Sequence, residues 1–433
     1  MSNPLIIAIG RLTKAVARLR GGGSALPGYI VERLDPHFMA EALGRLPEGI
    51  IVVSGTNGKT TTTKMLADLL RGQGLKVFTN PTGSNFTRGV VTALLDEVDW
   101  SGWLDADIAV LELDEAHAVH FVEQVRPRVS VLLNVLRDQL DRFGEIDTTA
   151  GMLLKVAQAT TGTVVLNRDD PRVRAIADHL SGDVQVRYFG YAPALADLFP
   201  DDDRLHETRD PHEGSALAVP PAPADVELAG LDGERAVYRM DRLRLSVDLQ
   251  LAGVHNALNA AAALAGARAA LPEEKAHDDG LLMATLGQVK AAFGRGETFD
   301  VDGRPVRLSL VKNPAGFRSS LRSLGGPEEA VMIAINDQYA DGRDMSWLWD
   351  VDFSALRARG VTMASGVRAW DMALRLHYDL VDVARVEPAL GPALDAFLEA
   401  SAGRPTRIFC TYTAMLQLRR EMSRHTEVGP IGA

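Results

Sequence analysis

The stretch Ser54–Thr63, SGTNGKTTTT, decides the fold. It follows GIIVVSG, an apolar run that predicts a buried strand, and it leads into TTTKMLADLLRGQG, whose apolar residues recur at helical spacing. A glycine-rich turn between a strand and a helix, followed by lysine and threonine, is the setting of a phosphate-binding loop. The common loop has a glycine at the position occupied here by Val53. We therefore predict a compact variant of that loop.

The predicted loop supplies the groups that hold nucleotide phosphates. Its glycines allow a close approach of the backbone and let N–H groups point inward, and the helix start adds a positive partial charge. Lys59 is expected to reach the β- and γ-phosphates, and the Thr60 hydroxyl is expected to hold Mg²⁺. The predicted nucleotide contacts are Gly55, Thr56, Asn57, Gly58, Lys59, Thr60 and Thr61.

The order of strands and helices predicts an α/β fold with two domains. Nearly continuous apolar runs between residues 50 and 190 are typical of a doubly wound, mostly parallel sheet covered on both faces. A second series of strands, each followed by a helical stretch, begins near residue 295 and predicts a smaller C-terminal α/β domain. We place the domains at 1–294 and 295–433. The proline- and aspartate-rich segment at about 192–236 is expected to be an insertion with little regular structure.

Composition excludes several classes of protein. The formal net charge of −11 disfavours a nucleic-acid partner, because phosphate contacts need clustered Lys and Arg. The sequence contains no run of eighteen apolar residues, so it predicts no transmembrane helix. Cys410 is the only cysteine, which excludes an internal disulfide or a multi-cysteine zinc site and predicts a buried core residue. A cytoplasmic location fits these features.

The N-terminal segment, residues 1–20, predicts a helix that can be interpreted in two ways. Ile6, Ile7, Leu12 and Leu19 fall roughly on one helical face, and basic residues lie elsewhere. The helix could pack on the first domain, or it could be a basic amphipathic helix that touches the inner leaflet of the membrane. The sequence leaves both interpretations open.

The loop GTNGKT with its further threonines resembles the ATP loop of the Mur ligase superfamily. VLELDEAH places Glu112 where that superfamily carries a magnesium-bridging glutamate, and Mg²⁺ needs only one or two carboxylates besides phosphates. LNRDDPRV supplies Asn167 at a strand end. LAGVHNALNAAAA matches a motif whose His255, Asn256 and Asn259 lie near the nucleotide in relatives. The resemblance therefore implies ATP and Mg²⁺ as cofactors.

Three departures from relatives concern metals and a modified lysine. Gln139 stands where relatives carry a metal-ligating histidine, and this leaves open whether a second metal is used. Lys155 lies near a position that is carbamylated in some relatives, but its spacing to Asn167 is imperfect. Several relatives also carry a four-cysteine zinc ribbon in the region that corresponds to 192–236. That region has no cysteine here, only His206 and His212, so we predict no structural zinc.

Long C-terminal stretches resemble one family within the superfamily. LVKNPAGFRSSLRSL, INDQYADGRDMSWLWDVDF and SGVRAWDMALRLHYD closely resemble MurT subunits of lipid II isoglutaminyl synthases, as do GGGSALPG and NPTGSNFTRG. The resemblance covers nearly the whole chain. It implies ATP-dependent amidation of the D-glutamate α-carboxylate of the lipid II stem peptide to D-isoglutamine, through an acyl phosphate. It also implies lipid II at the inner membrane leaflet as substrate and a GatD-type class I glutaminase as the ammonia-supplying partner in a heterodimer.

The same resemblance implies roles for further residues. Relatives supply an acidic residue to the partner's Cys–His pair, where a carboxylate orients the imidazole. Asp350 is our first choice for that acid and Asp344 the second. Trp347 and Trp349 are predicted anchors, in the core or at the partner interface. The expected contacts of the peptidyl substrate are Asn80, Thr82, Asn85, Arg88, Lys312 and Asn313.

Two other functions compete with amidation. A superfamily ligase could add an amino acid to a carboxylate substrate instead of ammonia. The chain could also bind ATP as a non-catalytic scaffold, but intact Lys59, Thr60 and Glu112 argue against that interpretation.

Overall fold

A computed structural model describes residues 4–19, 25–80, 85–136, 146–199, 222–251, 253–272, 278–290 and 295–428. The chain divides into two compact units. The first takes in Met1–Val135 and Ile146–Lys290, and the second takes in Leu136–Glu145 and Ala291–Ala433. Each unit has its own sheet and its own hydrophobic cores.

The first unit is built on a nine-stranded sheet in the order β2-β3-β1-β4-β5-β6-β7-β8-β9. The strands from β2 to β7 run parallel, and β8 and β9 are added antiparallel. Strands β1, β3, β4 and β5 are buried along their whole length, because helices cover both faces of the sheet. The strands are β1 Ile50–Ser54, β2 Val77–Thr79, β3 Ile108–Glu112, β4 Val129–Leu132, β5 Thr163–Asn167, β6 Gln185–Tyr191, β7 Val226–Asp232, β8 Arg235–Met240 and β9 Leu243–Asp248.

Helices pack on the two faces of this sheet and form two cores. The first core contains Met65, Leu66 and Leu264, and the second contains Ile7, Leu94 and Leu153. The predicted doubly wound fold is therefore confirmed. The helices are α1 Pro4–Leu19, α2 Ala25–Leu34, α3 Phe38–Leu43, α4 Lys59–Gly72, α5 Thr87–Glu97, α6 Glu115–Val122, α7 Ile146–Ala159, α8 Pro171–Arg174, α9 Val254–Ala270 and α10 Asp279–Leu286.

The prediction that 192–236 has little regular structure is wrong for the end of that segment. Strand β7 pairs parallel with β6 and antiparallel with β8. Val226 and Leu228 are fully buried in the first core, while Glu227 between them is held by Arg168 at 2.7 Å. The strand escaped prediction because Glu227 interrupts its apolar run and because it bulges before Gly230. Residues 200–221 lie outside the described part of the chain.

The second unit contains a six-stranded sheet in the order β10-β11-β15-β12-β13-β14, in which only β10 is antiparallel. The four strands predicted here are present, and β10 and β14 were not predicted. The strands are β10 Arg295–Val301, β11 Arg304–Leu310, β12 Ala330–Ala334, β13 Met363–Ser365, β14 Val386–Glu387 and β15 Thr406–Cys410. The helices are α11 Pro314–Arg322, α12 Ala369–Tyr378, α13 Leu390–Ala400 and α14 Tyr412–Met422.

The N-terminal helix α1 packs on the first unit, as one of its two interpretations expected. Ile7 is fully buried in the second core. Gly10 allows this close packing, because a Cβ there would lie 2.7 Å from a methyl carbon of Val31 and 2.8 Å from Leu95. The opposite side of the helix remains exposed.

Candidate active site

The predicted loop joins β1 to α4 in the conformation that its glycines allow. Gly55 has φ +132° and Gly58 has φ +89°, values that residues with a side chain rarely adopt. A Cβ on Gly58 would lie 2.3 Å from Oδ1 of Asn259. Asn259, on α9, therefore lies against the loop, and its predicted contact with nucleotide stays a prediction. The loop and the start of α9 form one surface at the carboxyl end of the parallel strands.

Asn134 holds the loop in place, and sequence reasoning gave it no role. It follows β4, and its Oδ1 accepts from the Asn57 N–H at 2.8 Å while its Nδ2 donates to the Asn57 carbonyl at 3.0 Å. Its own carbonyl accepts from the Thr56 N–H at 3.0 Å. The sequence does contain a signal for Asn134: it is an asparagine at the end of a predicted strand. The ends of parallel strands line the ligand-binding edge of a sheet.

Lys59 begins α4 and is buried among acceptors. Its ammonium group donates to the Gly55 carbonyl at 2.7 Å, and lies 3.1 Å from Asp114 Oδ1 and 3.4 Å from Glu115 Oε2. Two carboxylates thus compensate the charge of a cation that is only 4% exposed. Asp114 and Glu115 belong to the VLELDEAH segment, in which sequence reasoning singled out only Glu112.

Thr60 and Glu112 meet as the predicted magnesium pair. The Thr60 hydroxyl donates to Glu112 Oε1 at 2.8 Å, and both residues are buried. Asn80 fixes the backbone of Glu112 from both sides: its Oδ1 accepts from the Glu112 N–H and its Nδ2 donates to the Glu112 carbonyl, each at 2.9 Å. A hydroxyl beside a carboxylate at a phosphate loop is the donor set that Mg²⁺ uses, so these residues fit the ion.

The first turn of α4 also fits a phosphate. The hydroxyls of Thr61, Thr62 and Thr63 are buried and have no hydrogen-bond partner in the described part of the chain. Thr61 is the one nearest the loop. A buried donor without an acceptor is costly unless a ligand or water satisfies it. The Thr61 hydroxyl and the N-terminus of the 14-residue helix α4 therefore both favour an anionic ligand.

The end of β5 is tied to the end of β4 by two side chains. Asn167 donates to the Leu133 carbonyl at 2.9 Å and accepts from the Asp169 N–H at 3.0 Å. Asp170 accepts from the Val135 N–H at 2.7 Å. Asn167, predicted to contact nucleotide, therefore lies two strands from β1 on the same edge, and its carboxamide bonds within the chain. The nucleotide contact stays a prediction.

The start of α9 carries the other predicted nucleotide residues. His255 is exposed, and its ring lies edge-on to Phe199 with a centroid distance of 5.7 Å. Phe199 stacks on Tyr191 at 4.5 Å. Asn256 Oδ1 accepts from Asn259 Nδ2 at 3.5 Å. The aromatic pair was not predicted, because it joins residues of β6 and the segment after it to a distant helix.

Four of the residues predicted to contact the peptidyl substrate lie in the first unit, and those that the structure describes have different partners. The carbonyl of Asn85 accepts from the Asp114 N–H at 3.0 Å, which places Asn85 near the loop lysine. Arg88 pairs instead with Glu32 of α2 at 2.9 Å. Asn80, as described above, holds Glu112. Thr82 lies outside the described residues.

Lys312 and Asn313 follow β11 in the second unit. Asn313 is buried, and its Oδ1 accepts from the Gly316 N–H at 2.8 Å, which caps α11. Lys312 is half-buried. Their contact with substrate stays a prediction.

Asp341, Asp344 and Asp352 hydrogen bond within the second unit. Asp341 is buried and accepts from the Thr413 N–H at 2.7 Å. Asp344 and Asp352 accept from N–H groups two residues ahead, each at 2.8 Å, and these hydrogen bonds lower the pKa of both carboxyls. Asp350 is exposed at the end of a 3₁₀ helix.

Arg375 of α12 fixes the position of Asp350. Its guanidinium donates to the Leu348 carbonyl at 3.1 Å and to the Val351 carbonyl at 2.5 Å, so it holds the backbone on both sides of the acid. Trp347 is buried against Phe317. Of the two predicted places for Trp347, the core or the partner interface, the structure shows the core.

Trp349 belongs to an exposed apolar surface that we call the aromatic surface, formed by Trp349, Trp370, Leu374 and Tyr378. The last three recur every four residues along α12 and therefore lie on one face. Trp349 meets Tyr378 edge-to-face at 5.2 Å. Every member of the set is between 51% and 67% exposed. Asp350 follows Trp349 directly and so borders this surface.

The remaining predictions concern metals and a nucleophile. In the described ranges, no three His, Cys, Asp or Glu side chains form a group that could hold a metal. Gln139, His206 and His212 lie outside those ranges, so the absence of zinc stays a prediction. Lys155 is exposed on α7. Cys410 is fully buried, and burial raises the pKa of its thiol, which confirms it as an unreactive core residue.

Two family models match the chain. "Mur ligase middle domain" matches residues 53–267, which contain the loop, Glu112 and Asn259. "MurT ligase C-terminal" matches residues 310–415, which contain Asp350 and the aromatic surface.

Relatives and solved structures agree with these matches. A protein of Streptococcus pneumoniae named lipid II isoglutaminyl synthase (glutamine-hydrolyzing) subunit MurT is 30% identical over 97% of this chain and 96% of its own length. Its namesake in Staphylococcus aureus is 29% identical over 87% of this chain and 88% of its own length. MurF ligase of Thermotoga maritima, solved in complex with ADP, is 18% identical and has the same fold with a TM-score of 0.67. That match covers 91% of this chain and 84% of the MurF chain.

These findings agree with the geometry of both units. The phosphate loop, the Thr60–Glu112 pair and the exposed Asp350 lie within the matched segments, and the similarity to MurT subunits extends over nearly all of the chain. The chain therefore belongs to the family of MurT subunits of lipid II isoglutaminyl synthases.

Proposed function

We propose that this chain is a synthetase subunit that amidates the D-glutamate α-carboxylate of the lipid II stem peptide to D-isoglutamine, with ATP and ammonia. It is a ligase that forms a carbon–nitrogen bond in peptidoglycan synthesis. The observation that carries the proposal is the similarity to MurT subunits over both units. A phosphate loop alone would be equally consistent with a ligase that adds an amino acid.

In the first step, an oxygen of the substrate carboxylate forms a bond to the γ-phosphorus of ATP. The bond from that phosphorus to the β–γ bridging oxygen breaks, ADP leaves, and an acyl phosphate results. The backbone around Gly55 and Gly58 holds the phosphates, and Lys59 neutralises the charge that moves onto the bridging oxygen. Asn134 keeps the loop in that shape through its two hydrogen bonds to Asn57.

Thr60 and Glu112 are the residues that would hold Mg²⁺. When bound, the ion would neutralise charge on the β- and γ-phosphate oxygens. Asn80 orients Glu112 by bonding to both sides of its backbone, so the carboxylate is placed before any ion arrives. This preorganisation avoids reorganising the site during the reaction.

In the second step, ammonia attacks the carbonyl carbon of the acyl phosphate. The carbon–oxygen bond to phosphate breaks, inorganic phosphate leaves, and the nitrogen loses a proton to give the amide. This chain lacks a thiol suited to glutamine hydrolysis, because its only cysteine is buried. A separate GatD-type class I glutaminase therefore supplies the ammonia.

The glutaminase subunit docks on the aromatic surface of the second unit. Asp350 lies at the border of that surface, is exposed, and is held by Arg375. Its carboxylate is suited to orient a histidine of the partner's Cys–His pair. Asp344 is the weaker candidate, because it is half-buried whereas Asp350 is exposed. Rigid aromatic side chains are the usual anchors of protein interfaces.

The reaction takes place in the cytoplasm, at the inner face of the membrane, where lipid II is presented to this subunit. In the part of the chain that the structure describes, no helix has both the length and the apolar character needed to cross a bilayer. The subunit would reach its lipid-linked substrate from the cytoplasmic face of the membrane.

The test is a purified reaction with lipid II, ATP and Mg²⁺, with ammonium or glutamine as nitrogen source. The expected result is amidation with ammonium by this chain alone, and amidation with glutamine only after the glutaminase is added. Mass spectrometry of the stem peptide distinguishes the amide from an added residue. Incorporation of an amino acid in place of ammonia would refute the proposal.

A further inference from the structure

The buried guanidinium of Arg375 is bonded at several points to the chain around Asp350. Its Nε donates to the Leu348 carbonyl at 3.1 Å, and one terminal nitrogen donates to the Val351 carbonyl at 2.5 Å. The other terminal nitrogen lies 2.8 Å from Asp379 Oδ1. All three nitrogens of this side chain are therefore used within the second unit.

Asp379 extends the arrangement to a third point of the same segment. This residue follows α12, and its other carboxylate oxygen, Oδ2, accepts from the Phe353 N–H at 2.8 Å. Phe353 is fully buried and meets Phe317 edge-to-face, with ring centroids 5.1 Å apart. The backbone is thus fixed on both sides of Asp350, and the far end of the segment is anchored in the core.

Two aromatic rings lie close to the same guanidinium. Its central carbon is 5.3 Å from the centre of the Trp349 ring and 5.3 Å from the centre of the Phe353 ring. At such distances the cation is attracted by the ring electrons, and more strongly where water is excluded. Because Trp349 belongs to the aromatic surface, Arg375 joins an exposed residue of that surface to the core.

Only an arginine side chain can make these contacts together. Its donors lie in a fixed planar fork, whereas lysine offers one compact charge on a flexible stem. A lysine in its place could pair with Asp379 or donate to one carbonyl, but it could not reach three separated acceptors in one plane. Stability alone explains such a group poorly, because apolar side chains can often replace a buried ion pair without loss. The contacts of Arg375 therefore indicate that it positions the segment.

We propose that Arg375 and Asp379 are positioning residues of the glutamine-dependent reaction, which set the place of Asp350 relative to the partner's histidine. The inference rests on the proposed function, in which Asp350 orients that histidine, and it adds the residues that hold the acid in place. A carboxylate held beforehand pays less entropy when it meets the imidazole than one on a loosely held segment. The requirement is for the fork of Arg375, not for its charge.

The experiment uses the complex of this chain with saturating glutaminase and measures glutamate release from glutamine. Arg375→Lys should lower kcat with glutamine about tenfold or more, because a small misplacement of a catalytic group costs up to about 10²-fold. KM for glutamine should not change, because the partner binds that substrate. Ammonium-driven amidation by the same preparation is the internal reference, and the ratio of the two rates is the readout.

Asp379→Asn is the second variant, and it tests the same clamp if Arg375→Lys does not fold. Asparagine keeps an oxygen that can accept from the Phe353 N–H and loses the charge that pairs with Arg375. Its ratio of glutamine-driven to ammonium-driven rate should therefore fall, but less than in Arg375→Lys. An unchanged ratio in both variants would overturn the proposal.

A second buried arginine–carboxylate pair of the same unit provides the matched control. Arg407 Nε lies 3.0 Å from Glu329 Oε1, with side chains 6% and 5% exposed, and a terminal nitrogen of Arg407 donates to the Ser323 hydroxyl at 2.7 Å. Arg407→Lys should lower the unfolding temperature about as much as Arg375→Lys does, yet leave the ratio of rates unchanged. A similar fall of the ratio in both variants would show that loosening the unit is sufficient, which would overturn the positioning role.

A double-mutant cycle tests whether Arg375 acts through Asp350. If it does, Arg375→Lys should cause no further loss of the glutamine-driven rate in a protein that already carries Asp350→Asn. Fully additive losses would overturn the inference. Failure of the proposed function gives a different result, because Asp350→Asn alone would then keep the natural glutamine-driven rate, and the positioning role would fall with it.

Discussion

The buried ammonium group of Lys59 lies 3.1 Å from a carboxylate oxygen of Asp114. This pair joins the start of α4 to the turn after β3, and Glu115 adds a second carboxylate at 3.4 Å. The lysine is thus held close to the phosphate loop by acids of the same chain. A bound nucleotide would bring its phosphates to a cation whose position is already set.

Replacing Lys59 by Ala should abolish amidation from both nitrogen sources. Loss of one preorganised charge at a site of developing negative charge lowers rates by about 10²-fold or more. The substitution also leaves two carboxylates without their cation, so thermal unfolding must be measured beside the rate. Lys64→Ala is the matched control, because Lys64 forms a partly exposed pair with Asp68 on the same helix. Normal ammonium-driven activity in Lys59→Ala would contradict the assigned role.

Replacing Asn134 by Ala should weaken ATP binding without greatly lowering the rate at saturating ATP. Two hydrogen bonds to the Asn57 backbone are lost, and at about 1 kcal/mol each this predicts a rise in the ATP dissociation constant of roughly 30-fold. Asn134→Asp keeps the acceptor for the Asn57 N–H but sets a carboxylate oxygen against the Asn57 carbonyl and adds a negative charge beside the phosphate loop, so it should bind ATP at least as weakly as Asn134→Ala. Isothermal titration with a non-hydrolysable ATP analogue measures both. Identical affinities in all three proteins would rule out the proposed clamp.

Replacing Glu112 by Gln should raise the Mg²⁺ concentration needed for half-maximal rate. Glutamine retains an oxygen that can accept from Thr60, but it lacks the charge that attracts the ion. The readout is the dependence of ammonium-driven amidation on Mg²⁺. Glu123→Gln, at an exposed position after α6, should leave that dependence unchanged. If Glu112→Gln lowered the rate equally at all Mg²⁺ concentrations, the residue would act in another way.

Replacing Asp350 by Asn should spare ammonium-driven amidation and damage glutamine-driven amidation. The exposed carboxylate is proposed to act on the partner's histidine, and this chemistry is needed only when glutamine is the nitrogen source. Asp344→Asn provides the comparison, since that acid bonds to Ser346 and should show a smaller loss with glutamine. Equal losses from both nitrogen sources in Asp350→Asn would indicate a role in synthesis or folding instead.

Replacing Trp370 by Ala should weaken binding of the glutaminase subunit. Truncating a central aromatic anchor of an interface costs about 2 kcal/mol or more, a loss of roughly 30-fold in affinity. Trp370 is 67% exposed, so the second unit should unfold at its normal temperature. Trp103→Ala, an exposed tryptophan of the first unit, is the matched control. Unchanged partner affinity in Trp370→Ala would remove the aromatic surface from the interface.

The sequence by itself determined the features that depend on neighbouring residues. A strand, two glycines, a lysine and a helix within one short stretch predicted the loop of Gly55–Thr61, because the required backbone angles and the helix start are local properties. Continuous apolar runs predicted the parallel sheet, because strands covered on both faces need apolar residues at every position. The match of Glu112 to a known motif placed it near Thr60, and the structure brings the two together at 2.8 Å.

Only the tertiary structure decided which distant residues complete these local features. Asn134 reaches Asn57 across 77 positions of sequence, and no local pattern distinguishes it from another asparagine at a strand end. The four acids between Asp341 and Asp352 look alike in sequence, and only the fold shows that Asp341 is buried whereas Asp350 is exposed. Likewise, only the packed chain shows that Ile7 of α1 is buried while Leu12 of the same helix is exposed. Exposure and long-range hydrogen bonding are properties of the packed chain, so they follow from the fold rather than from any segment alone.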